Sequence, residues 1–575
     1  MLVVPAVLAM AITGCSSSSN GGSGGSSSGG AGGSSSASGG TTGSGGVTSS
    51  GGTTSSGGSK ASGGTTSSGG ATSAGGTTSV GGTTGAGGSN AGGGTTNAGG
   101  SSAAGGSTSA GGTTGATGGT TGAGGGTSTG VTVQLDKTHQ TIEGFGLNTA
   151  LGGGSVPWDA LYTTTGNPGL GFSIVRVGMD SGGKLSGSIP AKSYNAKVIG
   201  SVWTAPASCK NNNNESKGGH LLTTCYDSFS TTIANFAKSP CQGCDPLYAM
   251  SAANEPDFAS CGSTIGPPCN GDYVTMVYTA NEMVAWVKVL GPKLKANGVK
   301  LLAPEPSEWI HLWSNTSATG STIASHPNSS DPLNCGCFGN DPVTTGCAST
   351  CAQGNGYDYG HWLAKDTTAW GLVDLVATHE YDSQKAMAWP SDVDGGKRSK
   401  EVWETEVSGV MYWPEQGFSS DINNGIAVAG WVHSALVVGE ASAWLYWWYQ
   451  PSGNDNEGLV ASSGGALTKR AYTIGNYSKF VRPGYVMVDV TGNSNTNVLL
   501  SAFTGTDGTI IVAINKSTSA VSMPIAIAGG TAPASCTPYV TSATDSLKAG
   551  TPVTVADSTF TASLAASTVT TFVCK

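Results

Sequence analysis

GDYVTMVYTANEMVAWVKVLGPKLKANGVKLLAPEP (residues 271–306) changes its pattern partway through. Up to residue 298, apolar residues recur three and four apart, the spacing of one helical face. Gly298 is placed to stop that helix and Pro292 to kink or split it. VKLLAPEP (299–306) is instead a short, nearly continuous apolar run, the pattern of a strand covered on both faces. PLYAMSAANEP (246–256) reads the same way upstream. So do TIEGFG (141–146), FSIVRV (172–177), KVIGSVW (197–203), LVDLVATHEY (372–381), KEVWETEV (400–407) and ASAWLYWWY (441–449). Eight such strands with helical stretches between them predict an α/β fold, a (β/α)8 TIM barrel over residues 143–480.

The flanks read differently. VMVDVT, NVLLSAFT, TIIVAINK, VSMPIAI and STVTTFVCK alternate with period two between turns, predicting an attached antiparallel β-sandwich over 481–575. VTVQLDKTHQTI (131–142) alternates too and is expected to add a strand to that sandwich before the barrel begins. Residues 16–130 are almost wholly Gly, Ser, Thr and Ala, with Lys60 the one charge. So few large apolar side chains cannot offset the entropy of ordering, so this stretch reads as a disordered linker. Residues 1–15 form an apolar run ending in ITGC, which suits a secretory signal peptide better than a membrane span. ITGC before a Ser/Gly-rich stretch looks like a bacterial lipobox. That likeness implies lipidation of Cys15, an outer-surface tether and an extracytoplasmic, bacterial location. No Lys or Arg precedes the run, which points to a translation start further upstream.

All 34 acidic residues and all but one of the 25 basic ones lie beyond residue 130. No basic run occurs, which argues against nucleic acid as a partner. Besides Cys15 there are twelve cysteines. In an exported chain they read as disulfides, with Cys536 and Cys574 paired to each other. The sets Cys241, Cys244, Cys261, Cys269 and Cys335, Cys337, Cys347, Cys351 also have the composition of four-thiolate zinc sites. Residues 330–357 have no periodicity and read as a disulfide-held insertion.

Polar residues at the C-terminal ends of barrel strands face the active site. SAANEPD carries Glu255 at such an end, and VWETEV (402–407) carries Glu404 and Glu406 two residues apart. Two carboxyl groups, one protonated and one ionised, are what glycoside hydrolysis uses. In a regular strand Glu404 and Glu406 share a face. Glu406 is then nearer the strand end, and Glu404 lies one pleat deeper on the inward face. There it is expected to be neutral or paired, with Arg176 a candidate partner.

QTIEGFG, FSIVRVGMD, SVWTAPASCK, ANEPD, VWETEV and YSKFVRPGY, in this order, resemble glycoside hydrolase family 30, most closely its xylanase branch. The resemblance implies a retaining endo-glycanase with Glu255 as acid/base and Glu406 as nucleophile. It implies that Asn254 binds the hydroxyl beside the anomeric carbon and that Arg176 holds the nucleophile ionised. Trp203 becomes a pocket aromatic, and His379 with Tyr381 stands beside the nucleophile. Trp447 and Trp448 would point to opposite faces, one flooring a subsite. No cofactor or metal is implied, and a monomer is expected. Xylanases of this family that need a glucuronate branch carry an arginine just after the WWY of strand eight, where this chain has WWYQPSGNDNEG. A carboxylate clamp is therefore not expected there. Glu404 stands where relatives usually have an apolar residue. Xylan is the expected backbone, with β-1,6-galactan or β-1,6-glucan as alternatives and an inactive carbohydrate-binding protein as a reading of another class.

Overall fold

The structure is a computed structural model describing residues 130–575 except 153–154, 167, 217, 258–273, 315–357, 382–385, 409–420, 450–457 and 461–465. Cys15, the Gly-rich stretch before residue 130, the cysteine-rich insertion and residues 450–457 lie outside the described residues. After β1 (Val131–Thr141), the barrel strands are β2 (Gly144–Asn148) and β3 (Ile174–Met179), with β4 (Leu185–Ser186) folded back on β3 as an antiparallel pair. They continue with β5 (Lys197–Val202), β6 (Ala249–Ser251), β7 (Lys300–Pro304), β8 (Leu375–His379), β9 (Glu401–Glu406) and β10 (Ala441–Tyr446). β2 pairs in parallel with both β3 and β10, which closes a ring of eight parallel strands. Closure relies on Gly146, where an added Cβ would lie 2.0 Å from the Ile174 carbonyl oxygen.

The helix read from residue 271 begins at Ala280 (α1, Ala280–Ala296). The Thr279 hydroxyl accepts from the Glu282 N–H while the Glu282 carboxylate accepts from the Thr279 N–H, a reciprocal cap that fixes the first turn. Pro292 neither splits nor ends α1. It removes one backbone donor, and the buried face of Met283, Trp286, Val287, Leu290 and Leu294 spans both sides of it. Gly298, at φ +71°, closes the helix with its N–H on the Lys295 carbonyl.

The attached domain comprises β11 (Val486–Thr491), β12 (Val498–Gly505), β13 (Gly508–Asn515), β14 (Val521–Ala528), β15 (Ser535–Thr541), β16 (Lys548–Ala549), β17 (Val553–Thr554), β18 (Thr559–Leu564) and β19 (Thr568–Cys574). With β1 they form one curled sheet on a single hydrogen-bonded path, β17 branching from β15. β1 runs antiparallel to β11 and parallel to β14. One face encloses Val131, Val133, Ile511, Ala513, Ile525 and Phe572. The alternate residues Ile510, Val512 and Ile514 join the large core around the barrel. There α2 (Ile422–Val437) and α3 (Lys469–Ser478) pack against the sheet. Asn476 of α3 donates to Thr571 Oγ1 and the Tyr539 carbonyl, and accepts from Thr571 through its own carbonyl. Cys536 and Cys574, opposite each other on β15 and β19, are disulfide-bonded, as are Cys209–Cys225 and Cys241–Cys244. The bond between Cys241 and Cys244 removes two thiolates from the first zinc alternative.

Candidate active site

The lumen of the ring is layered. Ile174, Ile199, Ala249, Leu302, Leu375, Trp403 and Leu445, from different strands, form an apolar plug, with Tyr248 stacked on Trp403. Two residues further along, the same inward faces turn polar: Ile174 is followed by Arg176, Ile199 by Ser201, and Ala377 by His379. Period-two geometry thus sets a charged layer on an apolar floor at the strand ends.

Arg176 organises that layer, fully buried. Nε donates to Glu305 Oε1 (3.1 Å), Nη1 to Glu406 Oε2 (2.6 Å) and Asn148 Oδ1 (2.9 Å), and Nη2 to Asn254 Oδ1 (2.6 Å), with Glu305 Oε2 at 3.0 Å. All five guanidinium N–H groups are thereby used. Since Arg176 takes the Asn254 oxygen, the buried Asn254 Nδ2 is left with no protein partner among the described residues.

Glu255 and Glu305 follow their strands at φ +44° and +67°, a region that bulky L-residues seldom occupy. Backbone bonds hold them there: the Glu255 N–H donates to the Glu305 carbonyl (3.0 Å) and the Glu305 N–H to the Ala377 carbonyl (2.9 Å). His379 stands between the acids, with Nδ1 3.0 Å from Glu255 Oε1 and 3.9 Å from Glu406 Oε1, and Nε2 3.8 Å from Glu305 Oε1. The Tyr381 hydroxyl donates to Glu406 Oε1 (3.2 Å). Glu255, His379 and Glu406 each bring one atom within 4.8 Å of the others. The two carboxyl groups are thus closer than the roughly 6.5–9.5 Å that leaves room for an intervening water.

Burial opposes charge on His379, yet Glu406, Glu255 and Glu305 together push the imidazole up to about 10. Burial likewise opposes ionisation of Glu305, but Arg176 and His379 hold it well below the usual carboxylate range. Burial pushes Glu406 up to about 7 against the pull of His379 and Arg176. Near neutral pH the layer therefore holds two cations, Arg176 and His379, and one fixed anion, Glu305. By charge count alone, one further anion in the layer balances these charges. Two cations at the Glu255–His379–Glu406 cluster also disfavour a metal ion there.

The structure corrects the reading of VWETEV. β8 pairs Thr378 with Glu404 but His379 with Glu406, so Thr405 is an extra residue, a β-bulge. Trp403 lies in the inward plug and Val402 in the outer core, so parity gives Glu404 the outward side, and the bulge returns Glu406 to the lumen. Glu404 is fully buried, and its carboxyl accepts from the Glu406 N–H (3.1 Å) and the Leu445 N–H (3.3 Å). Arg176 is not its partner. Burial pushes the Glu404 carboxyl well up.

Trp203 is buried, with the Arg176 guanidinium over its ring (4.8 Å) and Trp447 at 6.3 Å. Trp447 and Trp448 do not point to opposite faces. Their rings are 6.2 Å apart and 23° from parallel, because β10 ends at Tyr446 and strand alternation ends with it. Both keep a small exposed edge. Sequence reasoning missed Glu305, Asn148 and Ser201, whose hydroxyl donates to Glu305 Oε2 (2.7 Å). The available signal for Glu305 was an acid ending an apolar strand in LLAPEP, the same signal that marked Glu255.

No family model matches the chain. It is 28% identical to glucuronoxylanase XynC of Bacillus subtilis (strain 168) over 465 residues, covering 77% of this chain and 91% of that protein. Among solved structures it is similar to a family 30 endoxylanase from Clostridium papyrosolvens C71, with 27% identity, a TM-score of 0.58, and coverage of 78% of this chain and 100% of that one. It is also similar to the family 30 subfamily 8 xylanase Xyn30A from Clostridium acetobutylicum, with 25% identity, a TM-score of 0.58, and coverage of 77% and 99%. With this barrel and this carboxylate layer, the chain is similar to the xylanase branch of glycoside hydrolase family 30 and is a retaining glycoside hydrolase.

Proposed function

We propose that the protein is an endo-β-1,4-xylanase working by double displacement, with Glu406 as nucleophile and Glu255 as acid/base. One observation carries the assignment of roles: two buried carboxyl groups lie within 4.8 Å of each other at the strand ends, beside the cations Arg176 and His379. Glu406 accepts from the Arg176 guanidinium and the Tyr381 hydroxyl, groups that favour its anionic form. Glu255 is accordingly assigned as the proton donor of the first step. In the first step Glu255 gives a proton to the glycosidic oxygen as a Glu406 oxygen bonds to the anomeric carbon and the C–O bond breaks. In the second, Glu255 takes a proton from water as the water oxygen attacks the same carbon and Glu406 leaves. Asn254 Nδ2 is free to donate to the neighbouring sugar hydroxyl, an interaction that tightens in the transition state. Trp203 and Trp447 offer ring faces for the sugar's C–H groups.

The curated relative's name supports xylan as the backbone, and it specifies glucuronoxylan. Against a need for glucuronate stands the sequence Gln450–Glu457, which has no arginine or lysine. We infer that plain xylan suffices, that the N-terminal run exports the protein, and that Cys15 tethers it. Product analysis on linear and glucuronate-substituted xylan tests the first point. Cleavage of linear xylan into a ladder of oligosaccharides supports it, and cleavage confined to substituted chains overturns it. Loss of acyl labelling and surface location in Cys15→Ala tests the tether. Turnover by Glu406→Gln equal to wild type would refute the nucleophile, and binding without turnover by wild type would favour a lectin-like protein.

A further inference from the structure

The bulge at Thr405 disturbs the ladder at the residue that must be aimed most accurately. An extra residue in one strand leaves local N–H and C=O groups out of register with both neighbours. Here side chains take over several of them. The Thr405 carbonyl accepts from Asn148 Nδ2 (3.2 Å), an atom on a residue that Arg176 also holds. The Glu406 N–H donates to Glu404 Oε1 and the Leu445 N–H, on the adjacent β10, donates to Glu404 Oε2. A single carboxyl group therefore ties the backbone of the proposed nucleophile to the next strand across the irregularity. An acid at a fully buried, outward-facing strand position is costly, and burial acts against its charge. An aliphatic residue would fill the same space without that cost but would accept neither N–H.

We propose that Glu404 is a positioning residue: it replaces the ladder bonds lost at the Thr405 bulge and so fixes Glu406 relative to Arg176 and Tyr381. The inference rests on the reading of Glu406 as nucleophile. It predicts that Glu404 matters to the covalent step and little to substrate binding, since its carboxyl contacts only backbone. Displacing a reacting group by a fraction of an ångström to one ångström costs up to about a hundredfold in rate.

The test uses the full chain and three variants: Glu404→Met, Glu404→Asp and Glu404→Gln. Met accepts neither N–H, Asp is one methylene too short to span both, and Gln keeps one acceptor oxygen. Each is measured for kcat and KM on linear xylan and for the rate of inactivation by a 2-fluoro-xyloside, with the labelled peptide located by mass spectrometry. Expected are a kcat and an inactivation rate about 30- to 100-fold lower in Met and Asp, about three- to tenfold lower in Gln, and KM within about twofold throughout. If Met or Asp fails to fold, Gln alone decides, since a merely structural role predicts unchanged kcat in its folded fraction. Unchanged kcat and inactivation rate in any folded Met or Asp variant overturn the proposal, as does a loss confined to KM. Label on a residue other than Glu406 in wild type would instead overturn the nucleophile assignment, so the two failures are distinct.

Discussion

Replacing Arg176 with methionine removes a buried cation on which Glu305, Glu406, Asn148 and Asn254 all converge. Breaking one side of a buried ion pair costs about 3–5 kcal/mol, because the partner charge remains buried. Glu305 keeps Ser201 and His379 nearby, so the low end, about 3 kcal/mol, is expected. The double variant Arg176→Met/Glu305→Met removes both charges and should recover most of that loss, since apolar replacement of a whole buried pair is often near neutral. Activity should behave otherwise. Both variants leave Glu406 without its 2.6 Å charged donor and Asn254 without its orienting contact. A kcat loss of about 10²–10³-fold is expected in each, and the acid limb of the kcat/KM profile should move up by about 1–3 pH units. Denaturant unfolding and pH–rate profiles on the same preparations supply both readouts. Equal stability of single and double variants would refute the ion-pair account. A kcat within threefold of wild type across the pH range would refute the role at Glu406.

Glu406→Gln should abolish turnover yet be more stable than wild type at pH 8. A carboxyl raised to about 7 binds its proton more tightly folded than unfolded, so it costs stability as pH rises from about 4.5 through 7. That cost is roughly 3 kcal/mol above pH 7 and should vanish near pH 4 in paired melting curves. His379, raised to about 10, has the opposite sign of effect. Its contribution is full below about pH 6.5 and lost as pH rises through 10, so His379→Gln should flatten the alkaline fall in stability. Tyr381→Phe removes one donor from Glu406 and should shift the acid limb of kcat/KM upward by about one unit; an unmoved limb would show the bond to be idle. Opening Cys536–Cys574 as a double Ser variant frees a loop of sequence separation 38. Loop-closure entropy puts the loss at about 4 kcal/mol at most, measurable as a lower denaturant midpoint.

The barrel was legible because strands buried on both faces are written as short apolar runs, and eight of them recur in KVIGSVW, LVDLVATHEY and their like. Glu255 and Glu406 stood out because each ends such a run, and the structure brings them together with Arg176, Asn254, His379 and Tyr381. Glu305 ends its run in the same manner but becomes conspicuous only through Arg176, 129 residues away. Asn148 is an ordinary polar residue until it meets the Thr405 carbonyl from across the ring. The bulge left no trace in the sequence, since one extra residue is a property of pairing with β8 and not of VWETEV itself. For that reason the shared face assumed for Glu404 and Glu406 was wrong, although its premise of strict alternation holds from Glu401 to Trp403. The tryptophan pair failed similarly, at the point where β10 stops.

The place of β1 has a mechanical consequence. It is the first described strand of the chain, yet it lies inside the C-terminal sheet, between β11 and β14. A pull on the chain ahead of Val131 is taken up first by the β1 hydrogen bonds to these two neighbours, not by any strand of the ring. Drag on a bound polymer would enter at the lumen, while restraint from the N-terminal side would enter at β1. Between them lie only Ile142 and Glu143, which join β1 to β2 of the ring, and Ile142 is itself bonded to Tyr485 and Gly484, so the load is shared between the two domains at that junction.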